Sequence, residues 1–304
     1  MVRGTVGIYG AAGAVGSATA FALAHAGLRR LVLADAAAPQ LACLAMDLEL
    51  LGAALPGLGV ATGRPGALAA CDVVVACASV PHRDGAPRSA FLDDNAAVLA
   101  PLAEALADDG ARCRTVVLVS NPVDALATRL QERLGERVRV LGQTLNDTLR
   151  LRVAIARVRG AEPADVEAWS VGEHGPHAVA LLSRVLVRGE PATLSAPERA
   201  RVLDEVGGWY ARWQAHATGR TSALSSGWGA AAVVRALLEG DARPWPVSLL
   251  LRGEYGVEGV CLTVPALLGP DVRPRPLAWE IDAGERGAIA AAADAIGGLA
   301  CAAC

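Results

Sequence analysis

The chain has 304 residues, 53% of them hydrophobic, enough for one large core or two ordinary ones. All its positive side chains are arginines, which excludes Schiff-base chemistry and a phosphate-loop lysine, and a formal net charge of −3 leaves no basic excess for nucleic acid. Seven irregularly spaced cysteines and the lack of a leader pattern or an apolar run of about 18 residues predict a reduced, cytoplasmic protein outside any membrane. In chain order, short apolar runs come first at Val6–Tyr9, Leu31–Ala34, Val73–Ala76, Val116–Val119 and Val138–Leu141. They lack two-residue alternation, as expected of parallel strands buried on both faces. Helical patterns lie between them at Val15–Ala26, Leu41–Leu50, Asp93–Ala107 and Asp124–Leu134, so the first half reads as repeated βαβ units.

Beyond Gly142 the pattern changes. It predicts a helix over Asp147–Val158, strands over Val166–Val171 and Ala178–Leu186, and a helical region over Ala196–Leu238 broken near Thr218–Thr221. Strands follow at Pro246–Leu250 and Val260–Leu268, then a surface turn at Pro270–Pro276 and a terminal helix from about Ala283. Cys301 and Cys304 read as part of a frayed tail. The expected fold is α/β: a Rossmann-type, doubly wound parallel sheet in a dinucleotide-binding domain (1–142), followed by an α+β catalytic or substrate domain (143–304).

The first strand runs straight into Gly10-Ala-Ala-Gly13-Ala14-Val15-Gly16, which opens the first helix. Glycines there let backbone approach a pyrophosphate and let helix and strand pack closely, while the N–H groups of the helix start face the phosphates. Asp35 ends the second strand, 19 residues past Gly16. A carboxylate at that place accepts from ribose hydroxyls and repels a 2′-phosphate, favouring NAD over NADP. Four polar groups stand out downstream: His174 in Gly172-Glu173-His174-Gly175, Asp147 with Arg150 three residues apart at a helix start, Arg88 in a turn-rich loop, and Asn121 and Asp124 just past the fourth buried strand. A histidine exchanges protons near neutral pH, an Asp/Arg pair at that spacing shares a helix face, and carboxyl ends of parallel strands are where such sheets bind ligands. His174 and His177 find no third ligand in the sequence, so no metal is expected.

Taken together, these stretches resemble the lactate/malate dehydrogenase family over nearly the whole chain. GAAGAVG at 10–16, the loop ending in Arg88 with Asn95 after it, NPVD at 121–124, DTLR at 147–150, GEHG at 172–175 and YGVEGVCLTVPALLG at 255–269 occur in the family's order. The resemblance implies an NAD-dependent transfer of hydride to C2 of a small 2-oxo acid. It implies His174 as proton donor, Asp147 as the carboxylate that fixes its tautomer, and Arg150 as a two-pronged grip on the substrate carboxylate. Arg88 would polarise the carbonyl, Asn121 would orient nicotinamide and substrate, Asn95 would serve the cofactor site, and the Val80–Arg88 loop would close as a lid. The family also implies a homodimer or homotetramer.

The tail pocket departs from the family. Six residues before Arg88, where malate enzymes carry arginine and lactate enzymes usually glutamine, stands His82, with Arg83 next to it. Asn146 replaces the usual leucine before Asp147, and Thr221–Ser226, with Ser225 the candidate contact, adds hydroxyls. A polar 2-oxo acid is expected, with oxaloacetate/malate as the default pair and a lactate-type or specialised acid as the alternative. NAD-dependent glycosidases and a non-catalytic NAD-binding protein fit less well. The former need a metal-binding Cys/His set, and the latter would have lost part of the charged site.

Overall fold

A computed structural model of the chain describes residues 2–81, 91–216, 218–219, 221–270 and 273–301. The first half comprises β1 (Thr5–Tyr9), α1 (Ala14–His25), β2 (Arg30–Ala34), α2 (Ala38–Leu51), β3 (Gly59–Thr62), β4 (Val73–Ala76), α3 (Leu92–Ala107), β5 (Thr115–Leu118), α4 (Val123–Leu134) and β6 (Arg139–Gln143). Strand order is β3-β2-β1-β4-β5-β6, and every neighbouring pair is parallel. The doubly wound arrangement puts the segments after β1, β4, β5 and β6 along one edge, the carboxyl ends of the strands, where ligands bind in such sheets. β4 and β5 are buried at every position, which is why they read as unbroken apolar runs. β3 gives no such signal, because it is a largely exposed edge strand.

The second half comprises α5 (Leu145–Arg159), β7 (Val166–Glu167), β8 (Ser170–Gly172), β9 (Ala178–Ala180), β10 (Leu186–Val187), β11 (Glu190–Pro191), α6 (Ala196–Gly207), α7 (Trp209–Ala215), α8 (Ala223–Glu239), β12 (Asp241–Arg252), β13 (Glu258–Leu268), β14 (Arg275–Pro276) and α9 (Ala283–Cys301). β12 pairs antiparallel with β6 through Val247–Gln143 and Ser248–Gly142, so β12, β13, β8 and β9 continue the same sheet. The main apolar core follows that sheet, from Ile8 on β1 to Leu262 on β13 and Ile296 on α9. A smaller core beneath α5 joins Leu151, Ile155, Val166, Leu182 and Val202.

Two sequence expectations are corrected in this half. The predicted strand Val166–Val171 is two strands in different sheets: β7 pairs with β10, and β8 pairs with β13 and β9. The predicted strand Ala178–Leu186 is likewise cut by a 3₁₀ turn at Leu182–Arg184 into β9 and β10. The first crossing is made by buried Ala168 and Trp169, so no polar punctuation marks it, whereas the second exposes Ser183 and Arg184 after buried Leu181 and Leu182. No helix among the described residues is long and apolar enough to cross a membrane.

Candidate active site

The glycine loop is built by close approach. Gly10 has φ +82°, and an added Cβ would lie 2.4 Å from Ala78 N. At Gly16 a Cβ would lie 2.1 Å from Gly10 O. Only glycine lets the loop after β1 fold this tightly under the first turn of α1. Gly13 and Ala14 are exposed, and no side chain caps α1. Its first N–H groups therefore face outward, as an anion site requires. Asp35 accepts from Ala12 N at 2.9 Å and from Ala37 N at 2.9 Å, fastening the loop to the end of β2. A carboxylate has about four acceptor positions, so capacity remains for ribose hydroxyls. Across the sheet edge, Asn121 Oδ1 is buried without a hydrogen-bond partner. A cradle that only backbone occupies and an orphaned amide oxygen at the strand ends fit a dinucleotide with a carboxamide head. Gly16→Ala is expected to weaken NADH binding at least about 100-fold, read by fluorescence titration, because backbone rather than a flexible side chain must move.

Asn95, expected to serve the cofactor site, is a buried residue of α3. Its Oδ1 accepts from Val80 N and its Nδ2 donates to Asn121 O, both at 2.7 Å. It ties the segment after β4 to the segment after β5 and thereby sets the position of Asn121.

Two strand ends bring the charged groups together. Asp147 lies in the first turn of α5, just past β6, and His174 follows β8. His174 Nδ1 meets Asp147 Oδ2 at 2.5 Å, across 27 residues of sequence. An ionised carboxylate only accepts, so Nδ1 keeps its proton, and Nε2 on the opposite edge of the ring is the nitrogen left to give or take one. Asp147 Oδ1 accepts from Arg150 Nη1 at 3.0 Å. The Arg150 guanidinium also lies 3.9 Å above the ring of Trp209, at the start of α7. One carboxylate and one indole thus fix an imidazole and a guanidinium side by side, with side chains only 10–16% exposed.

Two contributors carried no role in the sequence reading. Trp209 is one. Asp124 is the other: in the first turn of α4, its Oδ2 accepts from the backbone N–H of His174 at 2.6 Å. Burial pushes its carboxyl up to about 6 from an ordinary 3.8, against the lowering effect of its hydrogen bonds. The signal available was a lone acid inside the apolar run Val123–Leu126. The native state holds this proton more tightly than the unfolded chain. Stability therefore falls as pH rises from about 4 to about 6 and is flat above, by on the order of 3 kcal/mol from this group. Asp124→Asn is expected to remove that slope in urea unfolding across the interval while keeping an acceptor for His174 N–H. Asp124→Ala is expected to cost about 2–3 kcal/mol and to lower kcat, because it leaves that N–H buried and unpaired.

Other predicted residues fall elsewhere. Asn146 is buried and donates to Ser226 Oγ at 2.9 Å, while Ser225 is exposed with its Oγ 3.2 Å from that of Ser222. His82, Arg83 and Arg88 lie outside the described residues, as do Cys304 and parts of the predicted break at 218–221 and turn at 270–276. Among the described residues no group of three or more His, Cys, Asp and Glu is placed to hold a metal ion. A cavity of about 750 Å³ lined by Leu149, Arg152, Trp228 and Trp245 contains none of His174, Asp147 or Arg150 and is separate from this site.

Comparison with known proteins gives a consistent result. The model of the lactate/malate dehydrogenase NAD binding domain matches residues 5–141. An L-lactate dehydrogenase of Treponema denticola is 30% identical over 296 residues, 93% of each chain. A malate dehydrogenase of Halobacterium salinarum is 32% identical over 307 residues, 95% of this chain and 96% of that one. The solved malate dehydrogenase of Aeropyrum pernix superposes with a TM-score of 0.88 at 27% identity, and the minor L-lactate dehydrogenase of Enterococcus mundtii with 0.87 at 25%, each over 97% of both chains. The chain belongs to the lactate/malate dehydrogenase family, the NAD-dependent dehydrogenases of 2-hydroxy acids.

Proposed function

We propose that this chain reversibly reduces a small polar 2-oxo acid to its 2-hydroxy acid, with oxaloacetate/malate as the default pair. The observation that carries the reading is the shared carboxylate of Asp147, bonded to both His174 and Arg150. Bound NADH supplies the hydride. Arg150 holds the substrate carboxylate, and its seat against Asp147 and Trp209 sets the angle of that grip. His174 gives a proton from Nε2 to the C2 oxygen during reduction and takes it back during oxidation. Asn121 orients the reacting groups, and Arg88, by the resemblance of its motif, polarises the carbonyl. His82 or Arg83 reads the substrate tail. Residues 1–142 bind the dinucleotide and 143–304 supply the substrate side.

Loss of NADH absorbance with a panel of 2-oxo acids tests the reading. Turnover with at least one small polar acid, insensitive to chelator, is expected. No turnover with any, or turnover only with glycosides, overturns it. A homodimer or homotetramer is proposed too, because Phe21 (55% exposed), Leu224 (83%) and Trp228 (54%) leave an apolar face on α1 and α8. A cytoplasmic location fits the free thiols of Cys71, Cys113 and Cys261.

A further inference from the structure

The first turn of α5 holds a buried amide whose two ends are treated differently. Asn146 is 7% exposed. Its Nδ2 donates to Ser226 Oγ at 2.9 Å, and that hydroxyl donates its own proton to Ser222 O at 2.7 Å. Because the hydroxyl's single proton is committed to a carbonyl, it can only accept from Asn146. The chain Asn146 N–H to Ser226 O–H to Ser222 C=O therefore has one polarity, and it fixes which end of the amide is oxygen. That oxygen, Oδ1, is buried without a hydrogen-bond partner. Such a group costs about 1–3 kcal/mol unless something bonds to it, and an apolar side chain of similar size would avoid the cost.

The amide lies on the helix turn that carries the charged groups of the site. Asn146 sits just past the carboxyl end of β6, beside Asp147 and one helical turn before Arg150. Ser226 is next to Gly227, where an added Cβ would lie 2.7 Å from Ala18 Cβ on α1, the helix opened by the glycine loop. Ser226 thus lies where α8 packs on α1, and its bond to Asn146 Nδ2 ties that seam to the first turn of α5, the turn that also carries Asp147.

We infer that Asn146 Oδ1 determines specificity by accepting a hydrogen bond from the C3 substituent of the substrate, which is a hydroxyl. The inference rests on the reading of a small polar 2-oxo acid above and sets a 3-hydroxy-2-oxo acid in place of its default pair. A methyl tail leaves Oδ1 unpaired, and a second carboxylate sets acceptor against acceptor, so both pyruvate and the default oxaloacetate are disfavoured. The reaction balances as for any member of the class. C2 gains the hydride, its oxygen gains the His174 proton, and NAD and a 2,3-dihydroxy acid leave. The C3 hydroxyl keeps its proton throughout.

Steady-state kinetics with NADH and hydroxypyruvate, pyruvate or oxaloacetate, on the full chain and on Asn146→Leu, test this. The wild type is expected to favour hydroxypyruvate at least tenfold in kcat/KM over both competitors. Asn146→Leu is expected to reduce its ratio over pyruvate at least tenfold while KM for NADH stays within twofold. Ser226→Ala, which unpins the amide without removing it, is expected to give an intermediate ratio. A wild type that prefers pyruvate or oxaloacetate overturns the inference while the dehydrogenase reading stands, and this holds even if Asn146→Leu does not fold. So does a variant whose KM for NADH rises equally with all three acids, which would assign Oδ1 to the carboxamide of the cofactor. Turnover of no acid overturns the dehydrogenase reading itself.

Discussion

His174→Asn is expected to lower kcat about 10⁴-fold and leave NADH affinity within twofold. Asparagine has no titrating nitrogen, so the proton that the C2 oxygen needs must come from water, and a positioned acid contributes about 10²–10⁴-fold. The glycine loop and Asp35 are formed by β1, α1 and β2, away from the segment after β8, so the dinucleotide cradle is untouched. NADH absorbance under single turnover reads the first quantity and fluorescence titration the second. Activity within tenfold of wild type would remove His174 from the chemistry. Asp147→Asn separates two tasks of one side chain. An amide placed to hold Arg150 cannot also accept from Nδ1–H at both former positions, so kcat falls with the lost tautomer and KM for the acid rises with the loosened guanidinium.

Arg150→Lys preserves the charge and removes the geometry. The guanidinium is placed by Asp147 at 3.0 Å and by the Trp209 ring at 3.9 Å. A lysine ammonium offers neither two parallel donors to a carboxylate nor a flat face to an indole. Losing one charge-assisted hydrogen bond and the stack removes about 3–4 kcal/mol, so kcat/KM is expected to fall by about 10²–10³-fold, with KM for the acid carrying much of the change. Trp209→Phe should keep most activity and Trp209→Ala should lose about fivefold, since an exposed or half-buried cation–π contact contributes about 1 kcal/mol. Equal kcat/KM in Arg150→Lys and wild type would mean that the substrate carboxylate is held elsewhere.

The sequence alone determined the elements whose signal is local. β1, β2, β4, β5 and β6 are runs buried on both faces, and the turn from β1 into α1 needs glycine at Gly10 and Gly16, so composition and order announced the doubly wound half. The acid at the end of β2 and the charged residues after β6 and β8 were legible because each stands at a strand end, where a polar group must have a reason to be. Only tertiary structure decided the rest, because it depends on contacts between residues far apart in the chain. That β12 joins β6 in one sheet is a matter of edge pairing, which apolar patterning does not encode. The split of Val166–Val171 between two sheets is invisible because the crossing itself, Ala168–Trp169, is buried. Asp124 beneath the His174 backbone, Trp209 under Arg150, and the one-way hydrogen-bond chain from Asn146 through Ser226 each require an approach of segments tens of residues apart. Residue type says what such a group can donate or accept; only the folded chain says to whom, and which atom is left over for a ligand.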